Sequence, residues 1–171
     1  VNADGSHLGS ITIRKAITVS NNVVAVKLSD EITQKLGMEY CQKFGISTLV
    51  DGEEINGKIY SDLNQTMALG GLTHGVYNYE MCAAYATIAN GGVYNTPTLY
   101  TKILDHDGNV LLEGSGETRE VIKDSTAALL TSAMQDVVNQ GTGTYCRIAN
   151  QPVAGKTGTT SDNKDLWFCG Y

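Results

Sequence analysis

The residues best suited to chemistry lie together near the C-terminal end, in Lys156-Thr157-Gly158-Thr159. An extended segment of this composition offers a cation and two hydroxyls to an anionic ligand. Gly158 has no side chain to hold a ligand backbone away, and the amide after it can point at a developing oxyanion. Such an edge can hold a peptide by strand addition, with the peptide's terminal carboxylate on the lysine and hydroxyls. A lysine on a polar edge strand also serves simply to block edge-to-edge association. The tetrapeptide therefore has to be judged by the company it keeps.

Three other patterns carry no chemistry. Gly155-Lys156-Thr157 is no phosphate loop, because Asn150 stands where that loop needs its first glycine and no helix is expected to follow. Asp105–Asn109 opens like a calcium loop, but Val110 replaces the required glycine and no glutamate closes it. A surface hairpin with an Asp-Gly turn is the expectation there. Asn64-Gln65-Thr66 matches a glycosylation acceptor, a pattern common by chance. Cys41, Cys82, Cys146 and Cys169 lack C-x-x-C spacing, and His7, His74 and His106 are scattered. No metal and no cofactor are expected. Cys41 and Cys82 read as small buried hydrophobes in helices.

K-T-G accompanies S-x-x-K and S-D-N in serine acyl-transfer sites of the β-lactamase and penicillin-binding type. Ser161-Asp162-Asn163-Lys164 satisfies both partner patterns at once. That match is rejected, since it is a turn adjoining the KTG strand, whereas three motifs must converge from separate elements. A hairpin turn also gives neither a helix start for the serine nor burial for the lysine. Ser20-Asn21-Asn22, read as S-x-N, is the better middle motif, between two helices and 136 residues before Lys156 (156 − 20).

The elements that must position these residues follow from periodicity and punctuation. Ser10 is expected to cap a short helix with Ile13, Ala16 and Ile17 on one face. After Ser20–Asn22, with Asn22 as cap, the stripe Val24, Leu28, Ile32 and Leu36 predicts a second helix ended by Gly37; Val23–Val26 also has strand propensity. Met38–Phe44 predicts a short helix closed by Gly45. Residues 46–75 lack periodicity and read as a long connection. Asn78 is expected to cap a helix with Met81, Ala84, Tyr85 and Ile88 inward, stopped by Gly91-Gly92. Tyr100–Leu104 and Val110–Leu112 form the hairpin. Asp124 or Ser125 caps a helix with Ala127, Leu130, Met134 and Val137 inward, stopped by Gly141. Val153–Thr160 and Asp165–Tyr171 predict paired strands about the turn at residues 161–164.

The 171 residues make one domain, with no repeat or linker. At 42% hydrophobic and 18% charged the chain can build a core. Twelve Lys+Arg against 18 Asp+Glu leave a net charge of −6, which argues against a nucleic-acid surface. No apolar run approaches the ~18 residues of a membrane span, and no signal-peptide pattern opens the chain.

Over nearly its whole length the sequence resembles the transpeptidase domain of class A, bifunctional high-molecular-weight penicillin-binding proteins. The carriers are Ile13-Arg14-Lys15-Ala16 leading to Ser20–Val26; Met67-Ala68-Leu69-Gly70-Gly71-Leu72-Thr73-His74-Gly75-Val76; and Glu80–Gly92. Met134–Val138 through Gly141-Thr142-Gly143-Thr144 and Val153–Thr160 through Asp165-Leu166-Trp167-Phe168 complete them, all in the family's order. The resemblance implies an α+β fold of the penicillin-binding-protein and serine β-lactamase type, here partial, with helices packed on an incomplete antiparallel sheet over residues 1–171. It implies a peptidoglycan D,D-transpeptidase that cross-links stem peptides ending in D-alanyl-D-alanine through a serine acyl-enzyme and is acylated by β-lactams. Ser20 would relay a proton to the leaving amine, while Asn22 would hold the substrate amide and the nucleophile's lysine. Lys156 would set the positive field and help anchor the carboxylate. Thr157 and Thr159 would bind that carboxylate, Gly158 would let the substrate approach, and the Thr159 amide would form half of the oxyanion hole.

The family's S-x-x-K lies upstream of S-x-N, and residues 1–19 contain none. The expectation is therefore a piece of a longer, membrane-anchored protein working on the outer face of the bacterial cell membrane, inactive alone and prone to self-associate through exposed edges. A non-catalytic peptidoglycan- or protein-binding module, and a β-lactamase or β-lactam sensor, are the competing readings.

Overall fold

The computed structural model describes residues 2, 5–160 and 163–171. Among the described residues five α-helices and eight short strands alternate irregularly. Helices α1 (Ile13–Thr18), α2 (Asn22–Ile32) and α3 (Gln34–Lys43) come first, followed by β1 (Asp51–Ile55), β2 (Lys58–Ser61) and a 3-10 turn at Gln65–Leu69. Next are α4 (Asn78–Ala89), β3 (Val93–Asn95), β4 (Lys102–Leu104), β5 (Val110–Glu113) and β6 (Thr118–Glu120). Helix α5 (Asp124–Gln140), a second 3-10 turn at Thr144–Cys146, β7 (Gly155–Thr159) and β8 (Leu166–Gly170) complete the order. The strands form four separate antiparallel pairs among the described residues: β1–β2, β3–β6, β4–β5 and β7–β8.

Helix α5 is the hub. Its inner face, Ala127, Ala133, Met134, Val137 and Val138, is the most deeply buried apolar surface in the chain. Ile88 of α4 and Ala154 before β7 pack on it. Arg14 of α1 fastens that helix to α5 by donating to the Ser132 carbonyl (3.0 Å), the Ser132 hydroxyl and the Asp136 carboxylate. The β7–β8 pair is held close by the Phe168 ring, which fills the space that side chains at Gly155 and Gly170 would need: a Cβ on Gly155 would lie 2.4 Å from Phe168 Cζ.

The predicted helices form, with shifted ends. The cap of α1 is Thr12, whose hydroxyl accepts from the Lys15 amide, and not Ser10; the β-branched Thr12 stays extended. Val23–Val26 is helical. The stripe from Val24 to Leu36 is broken at Thr33, which adopts φ +75° and accepts from the Leu36 amide to start a new helix. Gly37 consequently lies inside α3, where a Cβ would come within 3.2 Å of Met67 Cε. It allows helix-to-turn contact and terminates nothing. Helices α4 and α5 begin after Tyr77 and Lys123, neither of which makes a side-chain cap bond, so Asn78 and Asp124 are first-turn residues.

Cys82 is exposed, contrary to the sequence expectation, and Cys41 is half-buried. Helix α4 turns Glu80, Ala83, Thr87 and Ile88 inward, because the buried Glu80 carboxylate accepts the Ser47 amide (3.2 Å) and hydroxyl (2.6 Å). Met81 and Cys82 are left lining an open groove of about 580 Å³ against Trp167 and Cys169, whereas Tyr85 packs against the core as expected while its edge reaches the same groove. In the expected hairpin turn, Asp105 accepts the Asp107 and Asn109 amides, which holds the Asp-Gly turn. Of the turn at residues 161–164, Ser161 and Asp162 lie outside the described residues.

The segment read as a featureless connection contains the β1–β2 hairpin. Asn56 and Gly57 both take positive φ (53° and 77°), the conformation that an Asn-Gly hairpin turn favours. Both faces of β1 are largely exposed, so the strand has no alternation to reveal it. Asp62, 1% exposed, ties this hairpin down. Its carboxylate accepts the Val50 amide (2.9 Å) and the Thr73 amide and hydroxyl (both 2.8 Å). Burial raises the Asp62 pKa, but these bonds and the nearby His74 outweigh burial and hold it below the ordinary value. A carboxyl whose pKa falls on folding contributes stability that is complete above the unfolded value, about 3.9, and is lost as pH drops through the folded one. Asp62→Asn should flatten that acid decline and cost about 2 kcal/mol at pH 7 by urea denaturation, because it weakens a buried three-donor site.

Candidate active site

Ser20 occupies the junction of α1 and α2 at φ +55°, a left-handed conformation that costs a non-glycine residue roughly 1 kcal/mol. The backbone on either side enforces it. The Ser20 amide donates to the Ile17 carbonyl (3.2 Å) and the Asn21 amide to the Ala16 carbonyl (2.9 Å). Asn21 is buried and caps α2 by accepting the Val24 amide at 3.0 Å. The small polar residues at 20–22 thus end one helix, start the next and turn the Ser20 hydroxyl out of both.

Lys156 reaches that hydroxyl from β7. Its Nζ donates to Ser20 Oγ at 2.7 Å, across 136 residues of sequence, and to the Thr157 carbonyl at 2.8 Å. Burial pushes the Lys156 ammonium below the ordinary lysine value. A half-buried cation with two oxygen partners is a fixed local source of positive field, and its three N–H groups leave one donor for a ligand.

Thr157 and Thr159 alternate with Lys156 along β7 and so share the opposite face of the strand. Thr157 Oγ1 lies 2.6 Å from Thr142 Oγ1, while Thr159 is exposed. A Cβ placed on Gly158 would meet nothing within 4 Å, so the strand surface there is open to an approaching chain. Gly158 and Gly155 thus differ in kind: one leaves room at the surface, the other makes room for Phe168. Asn22 is the first residue of α2, and its half-buried side chain makes no hydrogen bond among the described residues. Ser20 and Lys156 are in contact, then, with Thr157–Thr159 continuing the strand and Asn22 beginning the adjacent helix. Thr142 was not predicted from sequence as a site residue. The Gly141-Thr142-Gly143 run could have flagged it, because a Cβ on Gly141 would lie 2.1 Å from the Thr18 carbonyl, a backbone approach that demands glycine. Among the described residues no group of three or more His, Cys, Asp or Glu side chains could hold a metal ion.

Comparison with known proteins bears on the family of the chain and on its fold. The family described as penicillin binding protein transpeptidase domain matches residues 2–171. The chain is 40% identical over 171 residues to penicillin-binding protein 1A of Clostridium acetobutylicum, covering 99% of this chain and 20% of that protein. It is 34% identical over 179 residues to penicillin-binding protein 1F of Bacillus subtilis, covering 99% and 23%. The chain therefore spans about a fifth of the length of these curated relatives. Among solved structures, PonA1 of Mycobacterium tuberculosis in complex with penicillin V aligns with TM-score 0.79 and 28% identity over 99% of this chain and 47% of that one. Penicillin-binding protein 1A of Haemophilus influenzae shares the fold at TM-score 0.81 and 21% identity, over 99% and 29%. On the match across residues 2–171, the chain belongs to the penicillin-binding protein transpeptidase domain family.

Proposed function

We propose that residues 20–22 and 156–159 form two walls of a peptidoglycan D,D-transpeptidase site that works through a serine acyl-enzyme and is acylated by β-lactams. The observation carrying this reading is the 2.7 Å hydrogen bond from Lys156 to Ser20, which joins the S-x-N and K-T-G motifs in one place. A solved relative bound to penicillin V supports the β-lactam part.

In this reading the substrate is a stem peptide ending in D-alanyl-D-alanine, which lies along β7. Its terminal carboxylate takes hydroxyls from Thr157 and Thr159 within the field of Lys156. The penultimate carbonyl then faces the Thr159 amide, a donor placed where negative charge develops as a nucleophile adds. Ser20, polarised by the Lys156 ammonium, relays to the departing amine the proton that the attacking serine gives up, and so ends the step as a neutral hydroxyl. Asn22 holds the substrate amide. The attacking serine belongs to an S-x-x-K motif, and the one such match in the sequence, Ser161-Asp162-Asn163-Lys164, follows the K-T-G motif directly and is not a separate element. This chain alone is therefore proposed to be inert to acylation. The working protein is read as membrane-anchored, with this domain on the outer face. Among the described residues no helix is long and apolar enough to cross a membrane.

Fluorescent penicillin separates this from a non-catalytic module. A version extended upstream to include S-x-x-K should be labelled and the 171-residue chain should not; an unlabelled extended chain sinks the enzyme reading. Hydrolytic turnover of penicillin by the extended chain would favour a β-lactamase instead. In that extended chain Ser20→Ala should slow acylation by about 10²-fold, the scale of a lost proton-transfer group. Deprotonation of Lys156 removes its field, so acylation should fall as pH rises, at a pH below the ordinary lysine value of about 10.4. Lys156→Arg should abolish that alkaline limb while lowering the plateau rate, because arginine stays charged but does not reproduce the geometry.

A further inference from the structure

Thr142 stands at the centre of a closed ring of contacts that the proposed transpeptidase chemistry does not use. Its amide donates to the Thr18 carbonyl (3.3 Å), two residues before Ser20. Its hydroxyl lies 2.6 Å from the Thr157 hydroxyl, on the strand whose Lys156 returns to Ser20. The backbone at Thr142 has little freedom. The Gly141 and Gly143 amides both donate to the Val137 carbonyl (3.1 and 3.0 Å), at the end of the most buried helix. Gly143 is buried, whereas the Thr142 side chain is exposed on the same surface as Thr159.

Two hydroxyls 2.6 Å apart share one hydrogen between them. If Thr157 donated it, its only proton would be spent inside the protein, and Thr157 could offer nothing to an anion. If Thr142 donates, Thr157 accepts and its own O–H is turned outward, polarised by the bond it receives. We propose that Thr142 is a positioning residue for carboxylate recognition: it donates to Thr157 Oγ1 and so directs the Thr157 hydroxyl at the C-terminal carboxylate of a bound peptide. This rests on the reading that Thr157 binds that carboxylate. No covalent step is involved. The effect is therefore on affinity for the charged terminus and not on the peptide backbone.

The test uses the 171-residue chain with acetyl-D-alanyl-D-alanine and with its C-terminal amide, following backbone amide shifts by NMR. The wild type should bind the carboxylate form more tightly than the amide. Thr142→Val, which keeps the shape and the backbone amide but removes the donor, should weaken the carboxylate form by about tenfold or more and leave the amide form unchanged. Thr142→Ser, which restores the hydroxyl, should recover wild-type binding. An equal loss for both forms, or failure of serine to rescue, would show that Thr142 only supports the fold and would overturn its role alone. A wild type that bound neither form, or both equally, would overturn carboxylate recognition by Thr157 and Thr142's part in it together.

Discussion

A lysine ammonium that is partly removed from water must find oxygen partners, and the architecture around Lys156 is arranged to supply them. One partner is local, the Thr157 carbonyl next along the strand; the other, Ser20, comes from a helix junction at the far end of the chain. Holding the second partner requires α1 to stop at a fixed place, α2 to start at once, and α1 to stay on α5. The Ser20 and Asn21 amides, which donate to the Ile17 and Ala16 carbonyls, perform the first task, the Asn21 side chain the second and Arg14 the third. Ser20 is strained in consequence, and the strain persists because the bonds of its neighbours over-determine it.

Helix α5 converts these local arrangements into one object. Its buried face supports β7 and α1, and its C-terminal end meets Thr18 through Gly141 and Thr157 through Thr142. Gly155 and Gly170 leave room for the Phe168 ring against β7 and β8. Small residues here are spent on close contact, and the polar residues beside them are tied by hydrogen bonds. Only Gly158 departs from that rule, facing open space on the strand where the proposed peptide would lie.

Away from the site the packing loosens. The β4–β5 hairpin carries Leu104, Leu111 and Leu112 largely exposed, and α4 and β8 leave an open groove between them. The β1–β2 hairpin is tied down through the buried Asp62 carboxylate, so its attachment depends on ionisation, whereas α5 is held chiefly by its buried apolar face.

Much of this was legible in the sequence. The helices announced themselves by three-to-four-residue spacing, the Asp105 hairpin by its Asp-Gly turn, and the β7–β8 pair by two strand-like segments about a polar turn. Family membership was legible too, since long motifs in fixed order are more specific than any tripeptide. What failed had a physical cause: the break at Thr33 is hidden in an uninterrupted apolar stripe, and the inward face of α4 is decided by the Glu80–Ser47 bond, which no hydropathy pattern encodes. The Asn56-Gly57 turn was present to be read, but its strands are solvated on both faces and gave no period to confirm it. Sequence by itself determined that the helices, the Asp-Gly turn and the β7–β8 strands form and which residue types could handle a carboxylate, because those depend on neighbours within a few positions. Only the tertiary structure decided that Lys156 meets Ser20 and that Thr142 meets Thr157, because a hydrogen bond is sensitive to fractions of an ångström and those distances are set by the packing of α1 and β7 on α5.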